Sequence, residues 1–187
     1  MDLILLHGPS HRGAGKCDAS TCAKDLGQWK AYEKLYKAGK AKAIGVSNYC
    51  VSCFECLIGQ PGVTVVPAVN QIQYHVGMGA DPEGLLSYCK KHDIVVQAYS
   101  PLGTGKLISD PQLKKIGSGL ATPKSSAQVA LKWVQQQGYA VCTKADNAKY
   151  LAEDIDIVAW NLTVSDMSTL TAATSPGGKP SWACTSR

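Results

Sequence analysis

Lys42-Ala43-Ile44-Gly45-Val46-Ser47-Asn48-Tyr49 is the stretch whose reading decides the fold. Four small or apolar residues run between Lys42 and the polar pair Ser47-Asn48. So short an apolar run, without alternation, fits a parallel strand covered on both faces better than a half-exposed hairpin strand. Ser47 and Asn48 then project at the carboxyl end of that strand, where α/β sheets and barrels bind ligands. Taken alone, the segment also fits a strand-to-helix turn in which Ser47 or Asn48 caps the next helix.

Four other strands are read on either side of it. Asp2–Leu6 delivers His7 ahead of the turn formers Gly8 and Pro9, and Val65–Gln71 ends in the amides of Asn70 and Gln71. Ile94–Ala98 discharges into Tyr99-Ser100-Pro101-Leu102-Gly103, and Tyr139–Thr143 is followed by Lys144. After the first strand comes a Gly/Ser/Cys-rich loop from Ser10 to about Lys24, then a helix whose apolar residues Leu26, Trp29, Tyr32, Leu35 and Tyr36 recur every three or four positions until Gly39. Further helices are expected over 51–58, from Asp81-Pro82 to His92, from Asp110-Pro111, over 125–137, over 148–153 and over 165–172. Strand followed by helix, five times over, argues for a parallel α/β sheet or barrel joined by right-handed crossovers. A full (β/α)8 barrel takes about 250 residues, so an open doubly wound sheet fits the length more easily. Against that, no strand is followed by a glycine-rich dinucleotide loop. Periodicity leaves the two architectures open.

With 187 residues, 45% of them hydrophobic, the chain can bury a sizeable core, and one domain is the default. Its net charge of +5 is spread along the sequence without a long basic run, which argues against a nucleic-acid partner. A patch for one anionic cofactor accounts for it, as does an ordinary solvated surface. The apolar run Leu3–Leu6 is too short for a signal peptide or a membrane span, so a cytoplasmic protein without membrane attachment is expected. Cys17, Cys22, Cys50, Cys53, Cys56, Cys89, Cys142 and Cys184 are read as mostly reduced thiols, because a chain with this core has no need of a disulfide framework. Cys50, Cys53 and Cys56 share one helix face; zinc would want a fourth ligand such as Cys89 or His75, and free thiols are the simpler reading.

Collected by position, the strand ends supply His7, Ser47, Asn48, Asn70, Gln71, Tyr99, Ser100, Thr143 and Lys144. That set offers an imidazole, amides for a planar polar ring, an aromatic face and a cation for phosphate. Each residue alone has a structural reading as a turn, packing or surface group. Their shared placement at strand ends raises the functional one.

Four segments, Asp2-Leu3-Ile4-Leu5-Leu6-His7, Gly45-Val46-Ser47-Asn48-Tyr49, Pro67-Ala68-Val69-Asn70-Gln71-Ile72-Gln73-Tyr74-His75 and Ala98-Tyr99-Ser100-Pro101-Leu102-Gly103, resemble the aldo-keto reductases in order and spacing. The likeness continues through Ala127–Trp133 and covers most of the chain. It implies an α/β fold of the (β/α)8 TIM-barrel type, here incomplete, with about five βα units in residues 1–174 and a loop or tail over 175–187. It implies a cytoplasmic NADP-dependent oxidoreductase that binds NADPH and transfers hydride to an aldehyde or ketone. By motif, His7 matches the histidine that orients the substrate carbonyl. Ser47, Asn48 and Gln71 match the residues holding the nicotinamide carboxamide, Tyr99 the ring stacked on the nicotinamide, and Ser100 and Leu102 the loop along the pyrophosphate. Lys144 and Glu153 match the adenosine end. No metal is implied.

Two departures from the family pattern stand out. Thr143-Lys144-Ala145 replaces Pro-Lys-Ser, and Tyr150 stands where an arginine for the 2′-phosphate is expected, although Lys149 lies beside it. The resemblance therefore implies weaker discrimination against NADH. The family's catalytic tyrosine, lysine and aspartate belong to the first three βα units, and the chain is read as N-terminally truncated ahead of the strand ending in His7. None of its eight tyrosines lies in the matching motif. The alternatives to a reductase are a non-catalytic cofactor-binding relic, a subunit-interaction protein and an unstable fragment. Exposed barrel edges would favour self-association.

Overall fold

The computed structural model describes residues 1–10 and 16–182. Five strands form one sheet in the order of the sequence: β1 (Leu3–Leu6), β2 (Ala43–Ser47), β3 (Val69–Gln73), β4 (Val95–Tyr99) and β5 (Ala140–Cys142). The strands run parallel, with Leu6 paired to Val46, Val46 to Asn70 and Tyr99 to Cys142. Helices α1 (Ala19–Lys37), α2 (Val51–Phe54), α3 (Leu85–Lys91), α4 (Pro111–Gly119), α5 (Ser126–Gln136), α6 (Ala148–Ile155) and α7 (Val164–Thr171) complete the alternation. None of them, among the described residues, is long and apolar enough to cross a membrane.

The chain groups into two compact units. The first takes residues 1–72, 83–96 and 179–187, the second residues 73–82 and 97–178. Trp29, Ile44, Val46, Tyr49, Phe54 and Leu57 are fully or almost fully buried in the first, as are Tyr74, Leu107, Leu113, Val129, Leu131 and Trp133 in the second. Gly45 is required at the centre of β2: a Cβ there would lie 2.6 Å from the Val69 carbonyl and 2.8 Å from Leu5 Cδ2.

Polar signals set the element ends. Asp18 accepts the Thr21 N–H at 2.8 Å and starts α1, Asp110 accepts the Gln112 and Leu113 N–H groups ahead of α4, and Ser125 with Gln128 forms a capping box on α5. The helix thus begins at Ala19, inside the segment read from sequence as loop.

The third strand is displaced too: 65–67 is irregular, Ala68 bonds to Ile44 and Val95, and the strand itself starts at Val69. Helix α1 accounts for the shift. Glu33 Oε1 accepts the N–H groups of Thr64 and Val65, both at 2.7 Å, while Trp29 Nε1 donates to the Val65 carbonyl at 2.9 Å. These bonds turn the Val65 backbone toward the helix, and Pro67 lacks a donor for a ladder.

The cysteines correct the sequence reading. Cys17 is bonded to Cys53 and Cys22 to Cys56, and Cys50 is disulfide-bonded as well. Among the described residues Cys89 and Cys142 are the free cysteines. Cys53 and Cys56 therefore have no thiolate to offer zinc. Residues more than thirty positions apart meet because the fold brings the start of α1 to the α2 turn, which helical spacing within one segment cannot reveal.

Candidate functional site

In the first unit the strand register puts the polar residues read at strand ends in one row. Leu6 is level with Val46 and Val46 with Asn70, so Ser47 at the end of β2 is level with Gln71 at the centre of β3, and His7 takes the next position just past the end of β1. Ser47 Oγ donates to the Gln71 carbonyl at 2.8 Å, and the Asn48 N–H reaches the same oxygen at 2.9 Å. Asn48 Nδ2 donates to Ser47 Oγ at 2.9 Å and to the His7 carbonyl at 3.1 Å. Asn48 has a left-handed backbone, φ 57°, uncommon for a residue other than glycine and sustained here by these bonds. Neither polar residue caps α2: Cys50 holds that position, without a side-chain bond. Ser47 and Asn48 are buried at 2% and 1% exposure, Gln71 is half-buried and His7 exposed.

Asn70 is the positioning residue that sequence reading passed over in favour of Gln71. Wholly buried, it donates from Nδ2 to the Tyr49 carbonyl at 2.9 Å and accepts the Tyr49 N–H on Oδ1 at 3.4 Å. That pair of bonds holds the backbone immediately after Asn48. An amide beside Gln71 was the available signal, but which of two adjacent amides faces inward follows from the register.

The segment read as a loose tail makes specific contacts in this unit. Ser181, 1% exposed, donates its hydroxyl to the Asn48 carbonyl. The Trp182 ring stands edge-on to His7 with centroids 6.5 Å apart, and it lies so close to Gly8 that a Cβ there would be 3.2 Å from Trp182 Cζ2. A Gly/Pro/Ser-rich composition gave no sign of these contacts.

In the second unit Tyr99 ends β4, and Ser100 follows with φ 49°, the same left-handed exit that Asn48 makes from β2. Burial pushes the Tyr99 phenol up from its ordinary value, so the ring is neutral. A groove of ≈ 390 Å³ touches Ser100, Leu102, Thr104, Cys142, Thr143 and Lys144. A cleft of ≈ 470 Å³ that shares Leu102, Ile108 and Lys144 is lined further by Ser125, Lys149, Tyr150 and Glu153. Ser100, Leu102 and Lys144 thus line the groove, and Leu102, Lys144 and Glu153 the cleft. In it Glu153 accepts the Ser125 hydroxyl at 2.9 Å, Lys144 pairs with Asp146 at 3.2 Å and Lys149 lies 3.9 Å from Glu153.

His75 is buried in the second unit at 1% exposure. Its Nδ1 lies 2.8 Å from the Val76 carbonyl, which can only accept, so Nδ1 carries the proton; Nε2 then accepts from Gln73 Nε2 at 3.2 Å. Burial chiefly, and the charge of Lys106 in addition, hold its pKa below the ordinary 6.5, while the Val76 bond acts the other way. A depressed imidazole leaves the unfolded chain binding more protons between the two values. Its contribution to stability is therefore complete above the unfolded value, about 6.5, and declines as pH falls toward the folded value. Urea midpoints at pH 7.5 and 5.5 are expected to differ more for the native protein than for His75→Gln.

These geometries set a polar row in one unit and, in the other, a cleft where Lys144 and Lys149 stand beside Asp146, Glu153 and Asp154, on a parallel, alternating α/β chain. The family model described as Aldo/keto reductase family matches residues 1–175, and the chain belongs to that family. It is 36% identical over 172 residues to glyoxal reductase of Bacillus subtilis, covering 92% of this chain and 56% of that protein. It is 32% identical over 184 residues to the NADPH-dependent alpha-keto amide reductase of Saccharomyces cerevisiae, covering 91% and 54%. The crystal structure of a Gox0644 mutant in complex with NADPH superposes with a TM-score of 0.78 at 33% identity, over 91% of this chain and 58% of the other. The chain spans about half the length of the curated relatives it matches. Its fold is an incomplete (β/α)8 barrel of five parallel strands with their helices, which resolves the choice that periodicity left between barrel and open sheet.

Proposed function

We propose that this chain carries the cofactor-holding part of an NADPH-dependent reductase acting on aldehydes or ketones. The observation that carries the reading is the register row of His7, Ser47 and Gln71 on three adjacent strands. For NADPH the cleft of the second unit offers Lys144 and Lys149 to phosphate oxygens, which must there displace the carboxylates of Asp146 and Glu153 from the two ammonium groups, and the apolar faces of Leu102 and Ile108 to a ring. In this reading Ser47, Asn48 and Gln71 fix the carboxamide and with it the face of the nicotinamide, and Tyr99 supports the ring from behind. Ser100 and Leu102 lie along the pyrophosphate, and Lys144 and Glu153 serve the adenosine end. His7, exposed beside Trp182, orients the substrate carbonyl. Bound NADPH would supply the hydride. No tyrosine of this stretch is assigned as the proton donor.

Tryptophan quenching during titration with NADPH tests the reading, and saturable quenching is the expected result. A titration with NADH tests the adenosine end. The exposed Tyr150 lines the cleft where the resemblance calls for a guanidinium, and Lys149 supplies one cation without a bidentate fork. The two affinities are expected to agree within about tenfold, or 1.4 kcal/mol. A preference for NADPH of about a hundredfold or more would overturn that assignment.

Burial favours a second reading, a cofactor-binding relic. Ser47 and Asn48 are already bonded to protein groups and almost fully covered. Carbonyl-dependent loss of reduced nicotinamide absorbance separates the two: turnover by the purified chain supports the reductase, and binding without turnover supports the relic.

A further inference from the structure

We propose that the paired bridges Cys17–Cys53 and Cys22–Cys56 form a thiol–disulfide exchange site, at which a dithiol reductant unfastens α1 from α2 and loosens the backbone around His7 and Asn48. Both bridges join the start of α1 to the α2 turn, with sequence separations of 36 and 34 residues. The first unit has a conventional apolar core built on Trp29, Tyr49, Phe54 and Leu57. A core of that kind removes the usual need for disulfides as a substitute for burial, which leaves local fastening as their effect.

The two fastened ends lead directly to the polar row. On the α1 side, Ser10 follows His7 by three residues, and its N–H is held by Asp25 Oδ1 at 2.7 Å while its hydroxyl donates to the Thr21 carbonyl at 3.4 Å. The first two turns of α1 therefore hold Ser10, just beyond His7. On the α2 side, Cys50 caps the helix two residues after Asn48, and Ser52 Oγ accepts the Cys17 N–H at 3.2 Å. Two buried groups between these elements favour separation. Asp25 Oδ2 and the Tyr49 hydroxyl are buried without a well-formed hydrogen bond among the described residues, and burial first, then the charge and closeness of the Asp25 carboxylate, push the Tyr49 phenol up. Both groups gain hydration when α1 moves away.

Exposure sets the direction of attack. Cys53 and Cys56 are buried at 0% and 3%, whereas Cys17 and Cys22 are half-buried. A reductant thiolate reaches Cys17 Sγ, the S–S bond breaks, and Cys53 leaves as a thiolate that takes up the proton given up by the reductant. The reductant's second thiol then attacks the mixed disulfide, releasing Cys17 as a thiol and leaving the reductant oxidised by two electrons. Cys22–Cys56 opens in the same way with a second equivalent.

The structural part of this proposal is independent of the cofactor reading, and only its effect on NADPH affinity rests on that reading. Protein prepared without reductant, digested and mass-mapped, is expected to yield the two bridged peptide pairs; dithiothreitol without denaturant is expected to make all four cysteines alkylatable. Amide exchange at Ser10, Tyr49 and Cys50 is expected to quicken at least tenfold in the reduced protein. Because Cys50 is disulfide-bonded too, the variant C17A/C22A/C53A/C56A isolates the two bridges, and it is expected to exchange like the reduced protein without reductant. NADPH affinity is expected to fall at least fivefold in both. Absence of the bridged peptides, or equal exchange in oxidised, reduced and variant protein, overturns the exchange site. Faster exchange with unchanged NADPH affinity overturns the coupling. Faster exchange with no NADPH binding in any form upholds the site and removes the cofactor reading instead.

Discussion

Asn70→Ala is expected to lower stability by about 2–4 kcal/mol, read as a shift of the urea midpoint at constant m. The size follows from what the side chain leaves behind. Asn70 is wholly buried and bonds both the N–H and the C=O of Tyr49, so truncation strands two buried backbone groups rather than removing one contact. A substitution that merely emptied a small space would cost less, because alanine and asparagine differ by few atoms. Asn70→Asp is the informative companion. It keeps an acceptor for the Tyr49 N–H but turns a carboxylate oxygen toward the Tyr49 carbonyl, and it is expected to be at least as damaging. Both variants should loosen Asn48, which Asn70 holds through the next peptide. A loss of under about 0.5 kcal/mol in Asn70→Ala would mean that Tyr49 finds other partners and that the clamp is not what fixes this turn.

Lys144→Glu is expected to weaken NADPH binding by about 10- to 100-fold while barely changing stability. Its ammonium is 86% exposed in its pair with Asp146, and such pairs contribute little to folding. The same lysine borders both the groove beside Ser100 and the cleft beside Lys149. A charge-assisted bond to a phosphate is worth about 1.5–3 kcal/mol, and a factor of ten in affinity is about 1.4 kcal/mol. Lys42→Glu serves as the control, since Lys42 is 81% exposed in its pair with Asp2 and lies outside the cleft. Isothermal titration at two salt concentrations would measure the effect. If both variants lose affinity equally, overall charge rather than Lys144 governs binding, and the assignment of the phosphate end fails.

The strands that were legible in the sequence are those whose partners are other strands. Ile44, Gly45 and Val46 form an apolar run because both faces of β2 are covered, and an apolar run bounded by polar residues can be read without knowing what covers it. The motif likeness placed His7, Ser47, Gln71, Tyr99 and Lys144 at strand ends; the structure puts Ser47 and Tyr99 at the ends of β2 and β4, His7 just past β1 and Lys144 two residues past β5, whereas Gln71 sits at the centre of β3. Val65–Ala68 was misread because its apolar residues also suit a strand, while the backbone of Val65 bonds to Glu33 and Trp29 of a helix more than thirty residues earlier and only Ala68 reaches Ile44 and Val95. The same limit applies to Asn70. Its adjacency to Gln71 is plain in the sequence, but its inward direction depends on the register of β3 against β2.

By itself, then, the sequence determined the alternation of strand and helix, the polar character of the strand ends and the family likeness, because each is written in local spacing and side-chain chemistry. Tertiary structure alone decided which cysteines pair, which of two neighbouring amides clamps Tyr49, and where Ser181 and Trp182 come to rest. Those outcomes depend on residues far apart in the chain, 21 positions for Asn70 and Tyr49, 133 for Ser181 and Asn48 and more still for Trp182 and His7, and the distance between such residues is fixed by how the helices and strands pack rather than by any pattern within one segment.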